Sequence, residues 1–82
     1  MTRAAEILKA QRAAERVSHQ AERAARLAYA RTREAGWAIA CDPGHGPVNL
    51  ALRRAILAQN AAIEALAKQR AARQAIADAW RH

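Results

Sequence analysis

Eighty-two residues allow one domain, and a chain that is 52% hydrophobic but holds 25 alanines and no phenylalanine excludes a thick core. Burying an alanine gains about 0.8 kcal/mol, against roughly 1.5–3 kcal/mol for a leucine or isoleucine. A lone pair of helices of this composition leaves much of its apolar surface in water, so self-association or a protein partner is expected. The formal charge of +7 arises from 14 basic and 7 acidic residues, and twelve of the basic ones are arginine. That balance suits an anionic partner, nucleic acid first, although arginine and alanine together also mark GC-rich codons.

Thr2 is placed to cap a first helix, its hydroxyl accepting from an otherwise orphan amide, and Glu6 suits the positive end of the helix dipole. From Arg3 to Ala35 there is neither proline nor glycine, and strong helix formers dominate. Ile7, Ala10, Ala14, Val17, Ala21, Ala24 and Ala28 recur at alternating steps of three and four, a heptad seam of mostly small residues. Gly36 offers a possible stop, with Trp37 folding back on the last turn. Continuation to about Ala40 is the better reading, because Trp37, Ile39 and Ala40 otherwise have no apolar neighbour, and Pro43 forbids helix beyond Asp42. The first helix is therefore expected over residues 3–40, roughly 55 Å long.

The segment Cys41-Asp42-Pro43-Gly44-His45-Gly46-Pro47 holds both prolines, the single cysteine and two of the three glycines. It reads as the connector, residues 41–48, with Gly44 and Gly46 free to take positive φ. Asn49 is the expected N-cap of a second helix over 49–81. Two rows run along that helix. Leu52, Ile56, Gln59, Ile63, Leu66, Arg70, Arg73, Ala77 and Trp80 form a bulky one; Ala55, Ala58, Ala62, Ala65, Ala72, Ile76 and Ala79 form an alanine-lined one beside it. A helix with two apolar rows has two neighbours. The fold class is accordingly all-α: one antiparallel hairpin domain spanning 1–82, assembling into a four-helix bundle or larger oligomer. Leu52, Ile56, Ile63, Leu66 and Trp80 are the expected oligomer interface. Two such hairpins packed together are similar in architecture to small dimeric RNA-binding hairpins of the Rop type. Gly36-Trp37 stands in the reverse order to the Trp-x-Gly of WXG-type secreted hairpins, and that resemblance is not carried over.

The clearest surface feature is a basic row on the first helix: Lys9, Arg12, Arg16, His19, Arg23, Arg26 and Arg33, with Ala30 the one gap. It is offset two residues from the alanine seam, about 200° around the helix, and so points away from the second helix. Over ~36 Å, Lys9, Arg12, Arg16, Arg23, Arg26 and Arg33 are the candidate contacts to DNA or RNA phosphates, which arginine forks take bidentately. The competing reading is a solvated face, partly neutralised by Arg12–Glu15, Glu15–His19 and Glu22–Arg26 pairs worth a few tenths of a kcal/mol each. A membrane surface suits the row poorly, since the opposite face is alanine rather than Trp, Phe or Leu. Base-specific recognition lacks a short recognition helix or zinc-finger spacing, and three aromatics in the whole chain make a poor stacking platform.

Cys41 and His45 have a spacing two zinc ligands could share, but a structural site needs four, so no metal is expected. No constellation suggests an enzyme or a cofactor: Asp42 is the one carboxylate near the Cys–His pair, and Glu64 and Asp78 have no paired carboxylate. A lone cysteine, charges at Arg3, Glu6 and Lys9, and the lack of a ~20-residue apolar run favour a cytoplasmic protein without membrane association. Two functions remain: a self-associating hairpin that binds nucleic-acid backbone without strong sequence specificity, or a structural adaptor whose apolar rows dock on another protein.

Overall fold

The computed structural model describes residues 2–41 and 46–81. Among them all regular structure is helical: α1 spans Arg3–Cys41 and α2 spans Gly46–Arg81. Three hydrogen bonds between the helices set their direction. Arg3 donates to the carbonyl of Trp80, Gln69 Nε2 donates to Ser18 Oγ at 3.1 Å, and Gln59 Nε2 donates to Thr32 Oγ1 at 3.0 Å. Numbers rising along α1 meet numbers falling along α2, so the hairpin is antiparallel, as the short connector implies.

The start of α1 follows the sequence reading. Thr2 Oγ1 accepts from the amide of Ala5 at 3.2 Å, and the Thr2 carbonyl accepts from Glu6 at 3.1 Å. The helix passes through Gly36 without interruption, and a Cβ at that position would meet nothing within 4 Å. It ends at Cys41, one residue beyond the expected Ala40 and before the Asp42-Pro43 pair that restricts it.

The start of α2 corrects the sequence reading. Helix begins at Gly46 rather than Asn49, and Asn49 is an exposed residue inside the first turns, not the cap. The reason lies in Pro47. In the first turn of a helix an amide has no intrahelical acceptor, so proline loses nothing there, and its fixed φ is already helical. Residues 41 and 46–48 thus leave the expected connector for the two helices. The parts assigned to Asp42, Pro43, Gly44 and His45 fall outside the described residues.

The molecule is a rod of 60 × 14 × 13 Å with a radius of gyration of 18.3 Å; a compact chain of this length has about 12 Å. Its core is a line of small side chains. Ala21 and Ala35 of α1 and Val48, Ala55 and Ala58 of α2 are the buried residues, each at most 7% exposed. Ile7, Ala10, Ala14, Val17, Ala24 and Ala28 continue the line half-buried on α1, and Ala62, Ala65, Ala72, Ile76 and Ala79 do so on α2. The heptad seam of α1 therefore packs on the alanine-lined row of α2. Small residues on both sides let the backbones approach, and among the described residues no large side chain is fully buried.

Candidate nucleic-acid interface

With the seam of α1 turned onto α2, the row offset from it by two residues faces solvent. Lys9, Arg12, Arg16, His19, Arg23, Arg26 and Arg33 are all exposed, with Glu15 and Glu22 beside the row, next to Arg16 and Arg23. An uninterrupted helix spreads these groups along about 36 Å of its length, and because their spacing falls short of the 3.6-residue turn the row winds partly around α1. The expected Arg12–Glu15, Glu15–His19 and Glu22–Arg26 pairs do not form. Among the described residues the ion pairs are Arg31–Glu34 at 3.0 Å and Asp78–Arg81 at 3.9 Å. Exposed side chains gain little from pairing, since hydration and rotamer freedom offset most of the attraction. The row accordingly keeps its charges directed at solvent.

The sequence reading missed what stands at the connector end of this row. Tyr29, Arg33 and Trp37 follow one another at steps of four, so they share a side of α1. The Arg33 guanidinium lies 5.9 Å from the centre of the Tyr29 ring, within cation–π range. Tyr29 and Trp37 are each 67% exposed. A shallow cleft beside the indole is lined by Arg33, Gly36, Trp37 and Ala40. Gly36, with open space where a side chain would lie, leaves that side of the ring free. The nearest carboxylate in sequence, Glu34, accepts from Arg31 through both oxygens, at 3.2 and 3.0 Å. The i, i+4, i+8 spacing was the signal that could have found the group; counting aromatics over the whole chain hid it.

The expected oligomer-interface residues occupy a different side of the rod. Leu52, Ile56, Ile63 and Leu66 sit one residue on from buried or half-buried alanines, about 100° around α2, and all four are exposed in the single chain. Trp80 is also exposed, but Arg70 and Arg73 separate it from the other four along the helix. Leu50 and Leu57 are exposed on a further side of α2, and Ile39 at the end of α1.

Among the described residues no three His, Cys, Asp or Glu side chains gather as metal ligands, and no helix is long and apolar enough to cross a membrane. Cys41 is a free, exposed thiol at the end of α1. No protein-family model, characterised protein or solved structure matches the chain.

Proposed function

We propose that this chain is a small basic hairpin that pairs with a second copy through the bulky side of α2 and lays the outer side of α1 along a nucleic-acid backbone, without strong sequence preference. The observation that carries the reading is the long row of Lys9, Arg12, Arg16, Arg23, Arg26 and Arg33, all exposed on one helix. Such a row is of little use to a core and well matched to a polyanion, because each phosphate contact releases condensed counterions. Pairing is supported by area. The chain exposes 6309 Å², whereas a compact protein of its mass exposes about 4,800 Å². The excess per chain is more than the roughly 600–1,000 Å² that each partner buries in a standard interface. The bulky row on α2 and the basic row on α1 point to different sides, so covering one leaves the other free.

The test is the salt dependence of nucleic-acid affinity. Neutralising about four to six phosphates gives a log–log slope of roughly −3.5 to −5.5 on duplex DNA. Replacing Arg16 and Arg23 by glutamine flattens that slope by nearly two units while helix content stays unchanged, glutamine being a good helix former. Arg53→Gln with Arg54→Gln is the matched control for bulk charge. Equal weakening by both pairs means that net charge alone acts and the row is not a site. No binding at ~50 mM salt removes the nucleic-acid reading and leaves the adaptor reading, in which the apolar rows dock on another protein.

A further inference from the structure

We infer that the ligand of the α1 row is single-stranded nucleic acid, held by its phosphates along the arginines and by unpaired bases stacked on Tyr29 and Trp37. The inference rests on the backbone-contact reading and goes beyond it in naming the strandedness and a second kind of contact.

Two observations carry it. The first is extent. α1 is one continuous helix, so its cations run along about 36 Å of it while turning only partly around its axis. In a B-form duplex one full turn takes about 34–36 Å. A duplex strand laid against the row therefore carries its phosphates around to the far side within that length, and only part of the row meets it. A single strand has no such constraint and can follow the row from Lys9 to Arg33.

The second observation is the group at the end of that row. Trp37 and Tyr29 are large rings left mostly in water, on either side of Arg33. Among the described residues Trp37 stays largely exposed beside a cleft lined by Arg33, Gly36 and Ala40, and Gly36 contributes no side chain there. Unpaired bases stack on such rings whatever their identity, because every base has a π-face, and a neighbouring guanidinium adds a cation–π contribution. A fully paired duplex offers its base faces only at its ends. The arrangement of a cationic track leading to exposed aromatic rings is thus fitted to a strand whose bases are free.

The experiment compares a single-stranded oligothymidylate and an oligouridylate, each about as long as the row, with a DNA duplex of the same length at low salt. Binding is read by anisotropy of the labelled strand and by tryptophan emission. The single strands are expected to bind more tightly than the duplex and to quench part of the emission. Trp37→Ala should weaken single-strand binding about 5- to 150-fold, change duplex binding less than about twofold, and abolish the quenching, since Trp80 lies at the other end of the rod. Trp37→Phe should recover most of the affinity. Equal binding of single strand and duplex, with no effect of Trp37→Ala on either, overturns the inference and leaves backbone contact standing. Absence of any binding to all three probes removes the backbone-contact reading itself, and the inference falls with it.

Discussion

The two long sides of α2 differ by one residue in register and by nearly everything else. Ala55 and Ala58 are buried at 5% and 7% exposure, while Ile56 next to them is 56% exposed and Ile63 64%. In most proteins the larger side chains go inside. Here the small ones do, because a two-helix rod has no third layer to enclose a large side chain, and close approach of two backbones is the one form of packing it can complete. Each alanine yields about 0.8 kcal/mol, and the leucines and isoleucines that could yield roughly 1.5–3 kcal/mol each are left for a second contact. The inner side of α2 is therefore finished by α1, and the outer side is unfinished within one chain.

The strongest way to break this comparison is to put large residues inside. Ala21→Leu and Ala58→Leu each force the helices apart and should cost about 1–3 kcal/mol, the double variant more than either. Denaturant unfolding followed by circular dichroism measures this. A stabilising leucine would mean that the seam has spare room, and the account of a close-packed alanine line would be wrong.

The outer side gives the next largest effect. If a second copy covers it, the midpoint of thermal unfolding rises with protein concentration, and at a hundredfold excess over Kd the association adds about 2.7 kcal/mol. Ile56→Gln with Ile63→Gln should remove that dependence and leave a monomer whose own stability moves by about 0.5 kcal/mol at most for such exposed sites. Sedimentation of the two proteins reads the difference directly. A wild type that stays monomeric at high micromolar concentration sinks the pairing.

How far the sequence announces this molecule depends on which row is considered. The seam of α1 is legible from Ile7 to Ala28 because small residues recur at heptad spacing against a background of charge. On α2 both rows satisfy the same spacing, and spacing cannot say which one meets α1. That choice is made in three dimensions, by matching small to small and by the half-buried hydrogen bond of Gln69 to Ser18, while Gln59 of the bulky row reaches across the edge to Thr32. These polar pairs have a second consequence. An alanine line looks alike every seven residues, so a slipped register loses little packing, and a half-buried hydrogen bond is what distinguishes the native alignment. The basic row is legible for the same reason as the α1 seam. The aromatic group beside it carries its own signal in the steps of four from Tyr29 to Arg33 to Trp37, but the cation–π contact and the exposure of both rings are read only in three dimensions.

Gly36 sharpens the contrast between what folding requires and what the exposed side of α1 presents. A glycine inside a helix costs about 0.8–1 kcal/mol relative to alanine, and open space surrounds this one. Gly36→Ala should therefore stabilise the hairpin by about that amount in thermal unfolding. A loss of stability instead would show that the backbone at residue 36 needs glycine for a packing reason.

The smallest effect separates two accounts of where α2 begins. If Asn49 capped the helix, its side chain would satisfy a first-turn amide, and Asn49→Ala would cost about 1 kcal/mol. In the structure the helix starts at Gly46, with Pro47 in its first turn, and Asn49 lies inside it and exposed. At an exposed interior position the comparison reduces to intrinsic propensity, where alanine is better than asparagine by about 0.5 kcal/mol. Asn49→Ala should then be neutral or slightly stabilising. The two accounts differ in sign as well as size, so a pair of denaturation curves for wild type and variant decides between them.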